Sequence, residues 1–540
     1  MLGGASDLVF DLLIRNGRVV DGTGNPWFRA DVAVQDGKIT DIGRFGESEG
    51  SKILDAKRLV VAPGFIDIHT HSDTVFFSNP TGESHVFQGV TTDIMGNCGN
   101  SPAPLSEQTA GRMREQLDRA NVSLDWRTLG QYLDKLEQSP ISINAGTFVG
   151  NGTVRTAAMG FEKREPTESE LREMTRLMAS AMDDGAYGMS TGLFYAPSGF
   201  ASTEEVIELA KIVSRSGGIY STHIRAEGDG LVQSVKEAIR IGEEASIPVQ
   251  IAHHKAFGQR NWGKVKETLS LFDEAWKRGV QVTCDVYAWR AGATGLSATL
   301  PHWAHDGGQD RLRARLRDPE ARARMRKDML VGITGSESVV HELGWGNIMI
   351  SSCEKNRGYE GRFVEEIAKS RNVDPFDLVF DLLAEEVGRI GMILFGMSED
   401  DVVTVLQSPY SMIGSDSSAV APAGALGQGK PHPRTYGNFV KVLGEYVRDR
   451  GVLSLEEAVR KMSSFPAQRL GIWDRGMIRK GAWADIAVFD PATVSSRATY
   501  QDPVQYPIGM KWVLVNGVLT VDSGMHTGAK AGKVLRMNRN

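Results

Sequence analysis

The chain has 540 residues, a net charge of −6 at pH 7 and 41% hydrophobic residues, values typical of a globular protein with a large core. The negative charge argues against a general nucleic-acid or membrane-surface binder, and no apolar run is long enough to span a membrane. Three scattered cysteines and an N-terminus without a basic segment predict a reducing compartment and therefore a cytoplasmic location.

Short apolar runs near both ends of the chain predict strands. Asn16-Gly17 and Asn516-Gly517 each lie between such runs, a pattern typical of β-hairpin turns. Residues 481–490 add a further alternating strand. Because the two ends are alike in pattern, we expect them to meet in one small sheet, although more than 400 residues separate them.

Between the ends, strand-like and helix-like stretches alternate. Several helices are predicted to begin at a capping residue that precedes a glutamate by three positions, namely Thr167, Ser202 and Ser454. Eight stretches have the apolar character of buried strands: residues 65–71, 91–98, 143–150, 187–193, 218–225, 248–255, 280–287 and 411–416. Eight alternating units predict the α/β class and a (β/α)8 barrel.

More than 120 residues separate the seventh and eighth predicted strands, far more than an ordinary loop. This segment holds an arginine-rich helix interrupted at Pro319, a candidate strand at residues 347–352 and an apolar helix after residue 374. We interpret it as an inserted subdomain, with bounds at residues 290–350, on the active face of the barrel. The interleaved acidic residues favour a solvated helix over a nucleic-acid patch.

Side chains that can bind metals recur at the carboxyl ends of the predicted strands, where barrels of this kind hold their active sites. Two of them, His69 and His71, are spaced at i and i+2 on a strand and therefore point to the same face. Taken singly, Cys98 has the alternative interpretation of a buried hydrophobe and Asp416 that of a helix cap, but six coincident positions favour a metal site. The six are His69, His71, Cys98, His223, His253 and Asp416.

A thiolate with imidazoles suits Zn2+, and three protein ligands leave a position open for water. We expect one firmly bound ion on Cys98, His223 and His253. His69, His71 and Asp416 would form an adjacent site with weaker affinity for metal, and its occupancy is left open. Zinc lowers the pKa of water towards ~7, and Asp416 would act as the catalytic base and then as the acid for a leaving amine.

The sequence VAPGFIDIHTHSD at residues 61–73, with the later strand-end ligands and GMIRKGAWADIAVFD at residues 476–490, resembles the amidohydrolase superfamily. Within it, GNCGNSPAP, STGLFYAP, THIRAEGD, QIAHHK and GSDSS…HPRTYG resemble the D-aminoacylase branch, the N-acyl-D-amino-acid deacylases. The resemblance extends from about residue 12 to residue 521.

This resemblance implies a zinc-dependent barrel at residues 63–474 and a small β-sandwich built from residues 1–62 and 475–540. Many relatives bridge two metals with a carbamylated lysine on the fourth strand, but that strand has no lysine here, and Cys98 is the expected substitute. The resemblance also implies that Lys255, Tyr287 and Arg434 bind the α-carboxylate of the substrate.

By the same resemblance, Tyr195 would lie near the scissile amide. The expected reaction is hydrolysis of an N-acyl-D-amino acid to a carboxylate and a free D-amino acid. The alternatives are another amide or cyclic-amide hydrolase of the superfamily, dipeptidase-like or acting on a toxin amide, and a non-catalytic scaffold. Loss of the carboxylate-binding residues or of the ligands would favour these alternatives, and none of those residues is missing.

The substrate's side chain and the oligomeric state are left open. Phe194, Trp289 and Leu296 favour a partly apolar pocket, whereas Arg290 would favour an acidic side chain. A homo-oligomer is one open outcome; the partner expected is a small N-acyl amino acid, with no nucleic acid and no membrane. Arg225 and Glu227 are interpreted as hydrogen-bonding neighbours of the ligands. His254 and Cys284 are interpreted as structural.

Overall fold

The computed structural model describes residues 10–118, 122–332, 337–386, 388–424 and 427–537. Its first strands form part of a sheet that the C-terminal segment completes. These strands are β1 (Leu12–Val19), β2 (Phe28–Gln35), β3 (Lys38–Gly43), β4 (Ile53–Asp55) and β5 (Val60–Pro63).

The hairpin turn predicted at Asn16-Gly17 is wrong. These residues lie inside β1, where the pairing with β2 shifts register and Asn16 has φ 62°. The dipeptide therefore makes a bulge in a strand. A two-residue turn does occur nearby, at Asp36-Gly37, where it joins β2 to β3. The second predicted turn, at Asn516-Gly517, is confirmed.

Parallel strands then build the barrel, each hydrogen-bonded to the next along the chain. Phe148 interrupts the third strand, so β8 and β9 are two pieces of one barrel position. The strands are β6 (Phe65–Asp67), β7 (Val90–Met95), β8 (Asn144–Thr147), β9 (Val149–Gly150), β10 (Gly188–Gly192), β11 (Ile219–His223), β12 (Val249–Ile251) and β13 (Val282–Val286).

A small antiparallel sheet lies in the chain between the seventh and eighth barrel strands. It consists of β14 (Gly292–Gly295), β15 (Ile348–Ser352) and β16 (Gly391–Leu394), with β16 in the centre. The sheet thus extends past residue 350, where the inserted subdomain was predicted to end. The predicted domain boundaries stay predictions.

The last barrel strand, β17 (Ser411–Ile413), pairs with β13 and returns to the first strand. Closure runs through the residues just beyond the strands: the N–H of Asp416 donates to His69 O, and that of His71 to Ser417 O. In the described ranges, eight strand positions therefore form a closed barrel. The predicted α/β class and (β/α)8 barrel are confirmed.

The C-terminal strands complete the first sheet, which within the described ranges has nine strands drawn from both the N-terminal and the C-terminal segment, as expected. β5 pairs with β18, so the N-terminal and C-terminal strands are hydrogen-bonded directly. The remaining strands are β18 (Ile486–Phe489), β19 (Met510–Val515), β20 (Val518–Asp522) and β21 (Met525–His526).

Helices connect the strands, and the three predicted capping residues each accept a hydrogen bond from the backbone of the predicted glutamate. None of the described helices is both long and apolar enough to cross a membrane. The α-helices, α1 to α18, span Val75–Ser78, Glu83–Val86, Glu107–Asp118, Leu129–Glu137, Asn151–Met159, Glu168–Asp183, Thr203–Arg215, Leu231–Glu244, Lys264–Lys277, Gly308–Arg315, Pro319–Val331, Val339–Leu343, Val364–Arg371, Pro375–Glu385, Glu399–Gln407, Arg434–Lys441, Leu455–Met462 and Ser464–Leu470.

A π-helix, Val442–Asp449, continues α16. The arginine-rich helix of the insertion is interrupted at Pro319, as predicted, because α11 begins there. Short 3-10 turns lie at Glu47–Glu49, Ser198–Phe200, Gln259–Asn261, Leu296–Thr299, His302–His305, Trp345–Asn347 and Arg357–Tyr359.

Candidate metal centre and active site

Five barrel strands bring the six predicted ligands together at their carboxyl ends. This convergence follows from the parallel barrel, in which every strand ends at the same rim. His69 and His71 follow β6, Cys98 follows β7, His223 ends β11, His253 follows β12 and Asp416 follows β17.

Cys98 lies at the centre of the group. Its Sγ is 3.4 Å from His69 Nε2, 3.9 Å from His223 Nδ1 and 3.8 Å from His253 Nε2. The thiol is buried, with the residue 6% exposed. One sulfur thus faces nitrogen atoms from three other strands.

Asp416 completes the group from the last strand. Its Oδ1 lies 3.1 Å from His71 Nε2 and 3.5 Å from His69 Nε2. Because its N–H also donates to His69 O, barrel closure fixes where this carboxylate stands. Ligand atoms of His69, Cys98, His253 and Asp416 all lie within 4.8 Å of one another.

Three of these residues have left-handed backbone conformations: Cys98 at φ 51°, His253 at φ 34° and Asp416 at φ 50°. Non-glycine residues adopt such angles at a cost on the order of 1–3 kcal/mol each, and only where the surroundings hold them. Each stands directly after a strand, where the chain turns. The turn directs the side chain to the common centre.

The donor set fits zinc. Thiolate and imidazole are ligands that Zn2+ prefers, whereas Mg2+ and Ca2+ take mainly oxygen. A second group that can hold a cation, formed by His223, Glu227 and His253, shares a histidine with the first. The residues present are therefore chemically suited to the expected metal.

Opposite charges at this centre stabilise the forms that bind metal. Burial alone would raise the pKa of the Cys98 thiol, but His69, His223 and His253 outweigh it and hold that pKa well below its ordinary value. Burial likewise opposes ionisation of Asp416, yet Arg434 and His69 hold its pKa well below the usual range. Both shifts favour the ionised form of the group, and the thiolate is the form of cysteine that binds metals.

Asp285, inside β13, is a functional residue that the sequence reasoning missed. Its Oδ1 lies 3.2 Å from His69 Nδ1 and accepts from the His253 N–H at 2.8 Å, while Oδ2 accepts from Gln250. The carboxylate fixes which nitrogen of His69 faces Cys98, as partners of metal-binding histidines do. The signal was a lone acid in an apolar strand.

Lys255 lies beside the centre but is held by an acid. Its Nζ contacts Glu227 Oε1, and the same oxygen is 3.0 Å from His253 Nδ1. Glu227 thus contacts a predicted ligand, as expected. Arg225 does not: its guanidinium pairs with Glu237, away from the centre.

Arg434 and Tyr287 lie on the other side of Asp416. Arg434 Nη1 is 2.9 Å from Asp416 Oδ2, and its guanidinium carbon is 4.6 Å from the centre of the Tyr287 ring. The guanidinium is buried, and its Nε has no hydrogen-bond partner among the described residues. A donor is therefore available for an anionic ligand.

Neighbouring cavities that share lining side chains surround these residues. The cavity beside Lys255 and Tyr287 is also lined by Tyr195 and Asp416. The latter two also line a larger cavity of about 560 Å3, which contains Cys98 and Arg434. The structure thus places the four predicted substrate-binding residues around the candidate metal ligands.

The residues expected to contact the substrate's side chain lie in different environments. Phe194 lines the cavity beside Lys255, whereas Trp289 and Leu296 pack in the core. The Arg290 side chain is 66% exposed and lies near Glu399. His254, buried against Thr268, and Cys284, inside β13, are structural, as interpreted.

A further buried histidine, His85 of α2, joins two parts of the barrel wall. Its Nδ1 lies 2.9 Å from Asp93 Oδ1 on β7, and its Nε2 lies 3.0 Å from Ser417 Oγ. Ser72 Oγ donates to the other oxygen of Asp93 and accepts from the Ala419 N–H. The network holds the segment that follows Asp416.

Comparisons with known proteins agree with this geometry. The family model described as the amidohydrolase family matches residues 52–521. A D-aminoacylase of Alcaligenes xylosoxydans xylosoxydans is 38% identical, over 97% of this chain and 97% of its own. A D-aminoacylase crystal structure has a TM-score of 0.81 at 36% identity, covering 98% of this chain and 100% of that one.

The crystal structure of an N-acyl-D-glutamate deacylase from Bordetella bronchiseptica is similar to the same extent. It contains zinc and a phosphonate inhibitor that mimics the tetrahedral intermediate of the reaction. Its TM-score is 0.82 at 32% identity, with 98% of this chain and 100% of that chain covered.

Proposed function

Because the chain belongs to the amidohydrolase family, we propose that it hydrolyses the amide bond of N-acyl-D-amino acids, releasing a carboxylate and a free D-amino acid. The observation that carries this proposal is the juxtaposition of a thiolate–imidazole–carboxylate centre with the cationic groups of Arg434 and Lys255. Such a site can hold the anionic end of a substrate beside a metal.

Lys255, Tyr287 and Arg434 are proposed to bind the α-carboxylate. The guanidinium can form two parallel hydrogen bonds to a carboxylate, and the ammonium adds a second charge. Tyr195, which lines both cavities, would position the scissile amide. With the carboxylate and the amide both fixed, the configuration at the α-carbon decides on which side the substrate's side chain lies, and the wall of the site would accept it on one side only.

The metal ligands are proposed to be His69, His71, Cys98, His223, His253 and Asp416. A zinc ion held there supplies an activated water and polarises the acyl carbonyl. Asp416 is proposed to take a proton during attack and deliver it to the leaving amine. Asp285 and Glu227 hold two of the histidine rings in place meanwhile.

The finer expectations belong to the same proposal. We keep one firmly bound zinc ion, with a second site of weaker affinity, as the proposed stoichiometry. The domain boundaries, a cytoplasmic location and any homo-oligomer stay predictions.

The test is an assay of zinc-loaded protein against matched N-acetyl-D- and N-acetyl-L-amino acids with apolar, acidic and basic side chains, with released amine measured. We expect release from the D forms alone. Removal of zinc by a chelator should abolish it, and zinc should restore it. Asp416→Asn, with its zinc content measured, should lower kcat by about 10^2–10^4.

Turnover of L forms at an equal rate would contradict the assignment of N-acyl-D-amino acids as the substrates. If zinc-loaded protein released amine from neither enantiomer, the substrate assignment would be wrong.

A further inference from the structure

A further cavity adjoins the metal ligands, and it shares no lining residue with the cavity beside Lys255. His71, Asn100 and Ala196 line both the cavity that contains Cys98 and this further cavity of about 340 Å3. That volume lies within the range of ~300–1,000 Å3 for small-molecule pockets. The methyl group of an acetyl substrate would leave most of it unfilled.

The wall of this further cavity offers apolar surface to a ligand. Leu105, Met113, Phe161 and Pro197 contribute hydrophobic side chains. Several polar groups of the wall are already bonded to the protein. Thr153 Oγ1 bonds to the backbone of Ser101, and Thr156 Oγ1 donates to Gly152 O.

The order of the cavities sets the direction of a bound substrate. Lys255 and Tyr287 line the first cavity, Cys98 and Asp416 the second, and the 340 Å3 cavity follows at His71. If the carboxylate lies at the first and the amide at the second, the acyl group points to the third. This step rests on the proposed function.

We propose that the 340 Å3 cavity is an acyl-binding subsite, and that the enzyme prefers N-acyl-D-amino acids whose acyl group is a medium-length alkyl chain over N-acetyl ones.

The charge of the subsite narrows the acyl class further. Asp73 lines it, and no lysine or arginine stands among its lining residues in the described chain. Asp73 Oδ1 accepts from the Gly96 N–H, which fixes the carboxylate in the wall. An acyl group that ends in a carboxylate, such as succinyl, would bring a second carboxylate close to this acid, with no lysine or arginine of the described lining to offset it.

The experiment uses one amino acid, D-leucine, carrying N-acetyl, N-butanoyl, N-hexanoyl, N-octanoyl or N-succinyl groups. Each methylene that leaves water favours binding by about fourfold. We therefore expect kcat/KM to rise by about tenfold or more from acetyl to hexanoyl. N-succinyl-D-leucine should be slower than the butanoyl substrate of similar length.

Two variants locate the effect. Met113→Trp should fill the subsite and lower the hexanoyl-to-acetyl ratio of kcat/KM by about tenfold. Met525→Trp makes the same change at a residue that is 71% exposed, and should leave the ratio as it is. Leu105→Ala, which enlarges the cavity, should shift the preferred chain to a longer one if Met113→Trp does not fold.

A flat or falling series from acetyl to octanoyl would overturn the subsite. A rising series that Met113→Trp and Leu105→Ala both leave unchanged would overturn its location. Failure of the proposed function looks different, because then no acyl-D-leucine in the series, acetyl included, releases amine.

Discussion

At the scale of single residues, one buried carboxylate orients two of the proposed metal ligands. Asp285 contacts the ring of His69 and the backbone of His253, which belong to different strands. It is 1% exposed, so bulk solvent does not screen its charge. Its contribution to metal binding is therefore expected to be large, although it is not one of the proposed ligands.

Asp285→Asn tests this role. The amide keeps the shape but loses the charge that orients His69, so we expect zinc affinity to fall by about 10–100-fold. Competition with a chelator measures it. Asp401→Asn changes another buried carboxylate, in α15, which accepts from the Gly263 N–H, and it should leave zinc affinity unchanged. Equal affinities in wild type and Asp285→Asn would remove Asp285 from the site.

The proposed ligands could be predicted from the sequence, whereas the role of Asp285 could not. His69, Cys98 and Asp416 could be predicted because each is a metal-binding type directly after an apolar run, and a barrel places such positions on one rim. Asp285 lies inside its strand, and its partners come from two other strands. Only the packed barrel brings them together.

At the scale of elements, a four-residue helix and a strand hold the segment that follows the proposed catalytic acid. His85 of α2 bridges Asp93 and Ser417, and Ser84 bonds to the backbone of Val420. His85 and Asp93 are both fully buried. The sequence offered no sign of this arrangement, since a lone histidine has no periodicity to read.

His85→Leu should leave Asp93 as a buried charge without its main partner. We expect the free energy of unfolding to fall by about 3 kcal/mol, measured by urea denaturation. His341→Leu, at an exposed histidine, is the control and should change stability little. A loss as small as that of the control would show that the network contributes no stability.

Turn chemistry at this scale was ambiguous in the sequence. Asn16-Gly17 and Asn516-Gly517 have the same residues, yet one makes a bulge and the other a turn. At Asn16 the side chain donates to Asp55 and the backbone N–H donates to Asp31. Because these acceptors belong to neighbouring strands, they hold Asn16 within β1 and the strand continues past it. Tertiary contacts decided between two outcomes that the dipeptide allows equally.

At the scale of the whole molecule, the terminal sheet is attached to the barrel by buried polar contacts. Asp485 pairs with Arg475 and accepts from Asn144 of β8 and from the N–H of Asn516. The C-terminal segment adds backbone bonds, since Ala145 N–H donates to Lys533 O. The joining of both ends in one sheet could be predicted from their similar patterns, but these contacts could not.

Stability at alkaline pH should depend on Lys461 of α17, which is 1% exposed. Burial lowers its pKa to about 8 from an ordinary value of 10.5. Between these values the unfolded chain holds the proton and the folded chain releases it, so the group makes folding more favourable as pH rises. The gain across the window is up to about 3 kcal/mol.

Lys461→Met should lack this gain. The comparison is the free energy of unfolding in urea below and above the window, for wild type, Lys461→Met and Lys480→Met, whose lysine is exposed. Wild type and the Lys480 variant should show the same rise relative to Lys461→Met. If the free energy of unfolding changed with pH in the same way in all three proteins, the lowered pKa of Lys461 would be contradicted.

Barrel closure also determines when the site can exist during synthesis. His71 and Asp416 face each other although 345 positions separate them in the chain. A ribosome adds about 5–20 residues per second, so the cysteine and the first histidines emerge well before the carboxylate that faces them. Contacts so distant in sequence also form slowly. A nascent chain therefore carries the proposed thiol and histidine ligands before the acid that faces them has been made, and the complete site forms only when the barrel has closed.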